Sequence, residues 1–312
     1  MSVGNVVFYF LMGLGPIVAL SSSSWVVCWA GVELSFLGLI PLLLGSKDKD
    51  SSLGKEACMK YFCIQAVGSG LLMWGGIMMF LIPNSFVMVS QFFFMFGLLV
   101  KLGMFPAHFW VLGVVGLLDW APLFFVLTWQ KIAPFLFLMN LIENNIWLQD
   151  VLLLMGGLSA VVGAVIGLNQ TKLAPMLGAS SITHTGWAAV AVVYGNFWIY
   201  YVCYFCSLLL LLLNISGSDK FMSGFLLLGL AGLPPFFMFA AKWSVMSAVL
   251  SMCGEWWVLG LPLFGSTLSL FFYLKFFYSF YLETSSEENV FSTFFAFASI
   301  VGVIGTFYIV GF

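Results

Sequence analysis

Four charged side chains stand in apolar stretches long enough to cross a membrane. Glu33 lies in WVVCWAGVELSFLGLIPLL, Lys101 heads KLGMFPAHFW, Lys131 lies in APLFFVLTWQKIAPFLFL, and Lys242 lies in GLAGLPPFFMFAAKW. A charge at bilayer depth costs about 2.5–3.5 kcal/mol on insertion scales and roughly 10 or more in simulations, so its default reading is functional. An ammonium group taken out of water becomes a reversible proton site rather than a permanent charge, and a carboxylate answers to the distance of the nearest lysine. The chemistry these types allow is ion or proton movement. The competing reading for Glu33 is a static ion pair, and for the lysines a stem that snorkels to an interface, which mid-span placement disfavours.

Two histidines extend the set. His184 lies in GASSITHTGWA among Ser180, Ser181, Thr183 and Thr185. Such groups can hold water and pass a proton through a neutral imidazole, or they can join helices by hydrogen bonds between small polar residues. His108 follows KLGMFPA, where capping or packing is the simpler role. Lys275 is near a helix end, and its stem can reach headgroups. Together Glu33, Lys101, Lys131, His184 and Lys242 are expected to line one polar band inside a helical bundle, with water between neighbours.

The elements that must position these residues are membrane helices. The chain is 62% hydrophobic and 7% charged, with a mean hydropathy of +1.12, which no soluble domain shows. Its 312 residues allow about eleven spans of ~20 residues joined by short loops. The opening MSVGNVVFYFLMG has no charged leader region and no small-residue cleavage site, so it reads as a retained first helix. A net charge of −2 says little about partners, and there is no basic patch for nucleic acid. No phosphate loop, catalytic triad, haem ligand pair or iron–sulfur spacing occurs. Cys203 and Cys206 share a helix face, yet no second pair or nearby histidine completes a metal site. The ten basic residues are all lysine, and residues with C-rich codons are scarce, as expected of a strand-biased organellar genome.

Apolar runs place helices near 3–20, 24–45, 57–82, 86–117, 119–142, 147–168, 172–194, 196–216, 222–252, 256–282 and 291–311. The fourth and ninth are too long for one span and carry breakers, Gly103 with Pro106 and Gly232 with Pro234 and Pro235. Proline removes a backbone donor and collides with the preceding turn, and freed backbone groups at membrane depth need protein or a wet cavity around them. The expected fold is all-α and polytopic. Residues 1–145 and 146–285 form two inverted five-helix repeats, each with a broken helix beside a lysine, followed by a last span in 286–312. Paired interrupted segments in matching positions mark the working site of a transporter. Lys47, Lys49, Lys55, Lys60, Lys172, Lys220 and Lys275 fall on the side of the N-terminus, against Glu143, Asp150 and Glu255 on the other. By the positive-inside rule the N-terminus faces the negative compartment.

KLGMFPAHFWV, then LTWQKIAP, NQTKLAPMLGASSITHTGW and GLPPFFMFAAKW, with WAGVELSFLGLIPLL ahead of them, occur in an order and spacing that spans most of the chain. This set resembles the antiporter-like membrane-arm subunits of mitochondrial NADH–ubiquinone oxidoreductase (complex I), specifically the subunit 2 family in its shortened animal form. The resemblance implies a proton-translocating subunit of the inner mitochondrial membrane with its N-terminus in the matrix. It implies no cofactor in this chain, the NADH, FMN, iron–sulfur clusters and ubiquinone being handled elsewhere in the complex. The implied partners are a neighbouring antiporter-like subunit, small membrane subunits and lipids. Carried across, Glu33 is the coupling glutamate and Lys101 its partner. Lys131 is the central connecting lysine, His184 a member of the polar axis, and Lys242 the lysine facing the next antiporter-like subunit. The chain departs from the family pattern at HFWVLGV, where a Pro-Glu pair is usual, at Ala241, where proline is common, and at Ala174-Pro175, where basic residues are usual. The rivals are a stand-alone cation/proton antiporter, which would be a longer chain, and a structural scaffold, which would have lost some buried charges.

Overall fold

The structure, a computed structural model, describes residues 3–22, 24–45, 52–81, 87–143, 145–216, 220–234, 236–252 and 256–283. Those residues form thirteen α-helices and no strand. They are α1 (Val3–Ser21), α2 (Trp25–Leu44), α3 (Ser52–Leu81), α4 (Val87–Leu102), α5 (Phe109–Val115), α6 (Trp120–Leu127), α7 (Trp129–Ile142), α8 (Ile146–Leu168), α9 (Leu173–Val193), α10 (Phe197–Ser216), α11 (Lys220–Ala231), α12 (Phe237–Ser251) and α13 (Trp257–Glu283). Among the described residues seven stretches are long and apolar enough to cross a membrane, with α6 and α7 together as one of them. In lipid every backbone polar group must be satisfied within the segment, which is why a chain this apolar resolves into helices alone. The helix expected at 291–311 lies outside the described residues.

The fourth expected span is α4 and α5, interrupted over 103–108, and the ninth is α11 and α12, interrupted over 232–236. Each interruption opens on a left-handed glycine, Gly103 at φ +67° and Gly232 at φ +81°, a conformation that costs side-chain-bearing residues. The fifth span departs from expectation. It reads as one helix in sequence but breaks at Thr128, whose φ of −118° and ψ of −78° leave the helical path. The Thr128 hydroxyl donates to the Phe124 carbonyl at 2.7 Å, and side chains that bond back to the preceding turn bend helices. No glycine or proline stands at that point to announce it.

The chain separates into two compact units, Met1–Gln149 and Asp150–Phe312, with the boundary in the first turn of α8. In the first unit α1 lies along α2 and α3 along α4, while α7 touches α1, α2 and α4. In the second unit α9 is enclosed by α10, α12 and α13. Its residues Met176–Val192 are all buried. That burial calls for small residues where it meets α8: a Cβ on Gly186 would stand 2.4 Å from the Gly156 carbonyl oxygen.

Candidate functional site

In the first unit Lys101 occupies the last turn of α4, immediately before the Gly103 break. Its ammonium donates to Glu33 Oε1 of α2 at 3.2 Å. The lysine side chain is 2% exposed and the glutamate 18%, so the pair is held out of water on the lysine side. Nζ also stands 5.8 Å from the centroid of the Phe36 ring, within range of a cation–π attraction. A Cβ on Gly68 of α3 would come within 3.0 Å of Lys101 Cγ, so the lysine stem packs directly on that helix. The broken end of α4 is closed by backbone and indole donors. Gly103 N–H donates to Val100 O at 3.2 Å, and Trp110 Nε1, from the far limb, donates to the same carbonyl at 3.0 Å.

Lys131 is buried in the first turn of α7, three residues past the Thr128 break. Its two neighbours in sequence fix that turn. Trp129 Nε1 donates to Met12 O of α1 at 3.0 Å. Gln130 Nε2 donates to Ser35 O of α2 at 2.9 Å, and the Ser35 hydroxyl donates to Gln130 Oε1 at 3.1 Å. Helix α2 therefore holds Lys101 through Glu33 and the turn bearing Lys131 through Ser35, two residues on.

In the second unit Lys242 is buried in the second turn of α12. Its ammonium donates to Ala231 O, the last residue of α11, at 2.7 Å. The carbonyl end of a helix carries partial negative charge, so the break itself supplies the lysine's partner. A Cβ on Gly232 would stand 3.0 Å from Nζ and 3.2 Å from Cδ and Cε, which gives that glycine a steric reason beside its conformational one. The Trp187 ring lies 5.9 Å from Nζ. Trp187 is one turn past His184 on α9.

His184 is buried, with Nδ1 2.8 Å from Tyr200 Oη and Nε2 3.3 Å from Tyr273 Oη. The Tyr204 ring lies against the imidazole at 4.9 Å between centroids. The hydroxyls expected around this histidine are used otherwise. Ser180, Ser181, Thr183 and Thr185 each donate to the carbonyl three residues back, at 2.6–2.8 Å. Sequence reasoning missed the tyrosines, because Tyr200 and Tyr204 sit in an aromatic, apolar run and Tyr273 is 89 residues away. The one available signal was their spacing, four residues on a helix, which puts both on one face.

The remaining candidates sit apart from these groups. His108 is buried between the rings of Phe105 and Phe109, makes no side-chain cap at the start of α5, and leaves Nδ1 without a partner among the described residues. Lys275 is exposed and donates to Gln170 O at 3.1 Å. Among the described residues no three His, Cys, Asp or Glu side chains gather where a metal could be held.

The chain as a whole is matched by known proteins. Residues 22–222 match the family described as NADH:quinone oxidoreductase/Mrp antiporter, transmembrane. NADH-ubiquinone oxidoreductase chain 2 of Albinaria caerulea is 32% identical over 287 residues, covering 92% of this chain and 92% of its own. The protein of the same name from Lumbricus terrestris is 33% identical over 286 residues, covering 84% and 82%. Among solved structures, a chain of respiratory complex I from Thermus thermophilus with bound aureothin superposes with a TM-score of 0.76 at 21% identity, over 98% of this chain and 77% of that one. A chain of the Mrp complex from a Dietzia species gives 0.81 at 15% identity, over 90% and 61%. At those identities the solved structures speak for the fold alone.

Proposed function

The chain belongs to the NADH-ubiquinone oxidoreductase chain 2 family, and we propose that it moves protons as a membrane-arm subunit through its own buried lysines. In this reading the redox chemistry that drives it takes place in other subunits. NADH, FMN, iron–sulfur clusters and ubiquinone are handled there, and this chain holds none of them. The membrane is the mitochondrial inner membrane, with the N-terminus in the matrix. The partners are a neighbouring antiporter-like subunit, small membrane subunits and lipid. The 32% identity to the Albinaria protein over 92% of this chain favours a complex I subunit over a stand-alone antiporter.

The observation that carries the reading is the Lys101–Glu33 pair at a broken helix end. A buried charge whose partner is removed loses several kcal/mol of compensation. Moving one charge against 100 mV costs about 2.3 kcal/mol, so pairing and unpairing of this lysine works on the scale of the membrane potential. Glu33 sets whether Lys101 holds its proton. Lys131 receives and passes protons at the Thr128 break, and His184 and Lys242 do so in the second unit. The two units act as inverted repeats, residues 1–145 and 146–285, each working at its own broken helix, with a final span in 286–312.

The test is proton uptake and NADH–quinone turnover in reconstituted complex carrying Lys101→Met, which keeps length and apolar volume but removes the titratable group. Assembly should survive and coupled pumping should fall. Normal assembly with both rates and the proton-to-electron ratio unchanged would make the lysine structural and end this assignment.

A further inference from the structure

The first unit contains two helix pairs whose backbones touch. Between α1 and α2, a Cβ on Gly31 would stand 2.7 Å from Gly15 O, and one on Gly38 would stand 2.6 Å from the Met12 nitrogen. Between α3 and α4, a Cβ on Gly75 would stand 2.6 Å from the Phe94 nitrogen, and one on Gly97 would stand 3.0 Å from Gly68 O. Contacts that close leave no slack between mates, so each pair moves as one body. Glu33 belongs to the first pair and Lys101 to the second. Their ion pair therefore bridges two bodies.

Lys131 lies on α7, and the turn that carries it is tied to the first pair. Trp129 Nε1 reaches Met12 O of α1 at 3.0 Å. The Ser35 carbonyl oxygen can only accept, so Nε2 is the end of the Gln130 amide that faces it, at 2.9 Å. Oε1 then faces the Ser35 hydroxyl at 3.1 Å, and two oxygens that close need the hydroxyl proton between them. That proton turns to Gln130 although Val32 O stands 2.8 Å from the same hydroxyl. One amide grips one residue of α2 at its main chain and its side chain, which fixes orientation as well as distance. The break at Thr128 takes this turn off the line of α6, so these bonds decide where it sits. Helix α7 meets α4 further along, with Phe137 against Phe94 at 5.7 Å and, past its end, Asn145 accepting from Gln91 at 3.1 Å.

Resting on the proton-translocation reading above, we propose that Gln130 is the positioning residue of Lys131, carrying it on the body that holds Glu33. Ser35 is two residues past Glu33 on α2, so the tie from glutamate to Lys131 runs through one helix turn and one amide. A shift between the two bodies then changes the Lys101–Glu33 distance and leaves the Glu33–Lys131 spacing as it was. Gln130 exchanges no proton itself. It acts by holding an ammonium at a set distance from a carboxylate, the quantity on which the charge of a buried lysine depends.

The test uses the assembled complex in sealed vesicles, with NADH-driven proton uptake and quinone turnover followed across pH. Gln130→Leu keeps the bulk of the side chain and removes both bonds to Ser35. It should assemble, slow coupled pumping about tenfold, as a displacement of about 1 Å at a reacting group can, and displace the pH profile of pumping. Placed on Lys131→Met it should lower the remaining turnover no further, since both act through the one ammonium. Ser35→Ala removes the hydroxyl and leaves Ser35 O, so it should cost about threefold, the loss of one ordinary hydrogen bond, with a smaller displacement in the same direction. Gln149→Leu strips an amide bond to Ile142 O, 2.9 Å long, at the other end of α7. It is the control and should match the parent in rate and profile. If Gln130→Leu assembles and matches the parent in both while Lys131→Met fails, the inference is wrong and the wider reading stands. A further loss from Gln130→Leu on Lys131→Met would also overturn it, by making the amide a brace for the fold. If Lys131→Met itself pumps normally, the wider reading fails for this lysine. Should Gln130→Leu not assemble, Ser35→Ala decides: the parent's rate and pH profile there would overturn the assignment.

Discussion

The two broken helices solve one problem with different partners. In the first unit the lysine lies before the break, and its partner is Glu33, a side chain on another helix. In the second the lysine lies after the break, and its partner is Ala231 O, a fixed backbone atom at the end of its own span's first limb. In the first unit a carbonyl of the last turn before the break, Val100 O, takes the Trp110 indole; by register it corresponds to Gly229 O, since each accepts the N–H of its break glycine. A carboxylate on a rotatable stem can approach or leave its lysine, so Lys101 is the lysine whose charge can be set from outside. A carbonyl at a helix end stays put, and it accepts a hydrogen bond from a neutral amine as well as from an ammonium. Lys242 can therefore lose a proton without losing its partner. Under the proposed function, this makes the first unit the one to be switched and the second the one to hold and release.

The largest effect should come from closing a break. Gly103→Val puts a β-branched residue at φ +67° with its Cβ 2.4 Å from Val111 Cγ2. Strain and overlap together should exceed about 3 kcal/mol, and native gels should show assembled complex reduced more than tenfold. Gly232→Ala meets the flexible end of Lys242 at 3.0–3.2 Å, so it should cost about 1–2 kcal/mol, spare assembly and still impair pumping. Equal assembly defects at the two glycines would mean that the breaks are not sterically different.

The next contrast is electrostatic. Glu33→Gln and Lys101→Met should each suppress coupled turnover, and the double variant should lose much less than their sum, with a coupling of about 2–3 kcal/mol in a double-mutant cycle. Additive losses would remove the pair from the mechanism. Lys242→Gln should assemble normally, because an amide can still donate to Ala231 O, while proton uptake through the complex falls. A smaller effect is expected at Trp110→Phe, which strips one donor from Val100 O at a cost of about 1 kcal/mol. It should lower the melting temperature of the complex without changing the proton-to-electron ratio. Smallest of all is Lys275→Met, an exposed lysine bonded to Gln170 O. Its effect on stability should stay within about 0.5 kcal/mol and its pumping should equal the parent's, which separates surface lysines from buried ones in a single assay.

The breaks themselves were half legible. Pro16, Pro41, Pro134 and Pro262 all sit inside helices that continue through them, so proline alone is a poor signal. A glycine two or three residues ahead of the proline does not suffice either, since Gly13, Gly38 and Gly260 stand so before Pro16, Pro41 and Pro262 in helices that continue; the helix stops where that glycine takes up a left-handed φ, at Gly103 and Gly232. That combination offers a left-handed residue as well as a missing donor. The Thr128 break carries neither. It depends on one hydroxyl bonding backward and on Trp129 and Gln130 being pinned to α1 and α2, contacts with partners about a hundred residues away.

Taken alone, the sequence determined that this chain crosses a membrane many times, where its charges lie along each span, and where two spans break. Hydropathy, proline and glycine act through the solvent and the local backbone, so a window of some twenty residues contains the whole cause. Only the tertiary structure decided that Glu33 meets Lys101 across 68 residues, that Lys242 meets the end of α11, and that His184 bonds two tyrosines rather than its neighbouring serines and threonines. A buried polar group takes whichever partner the packing brings within about 3 Å, and packing is settled between helices, not along them.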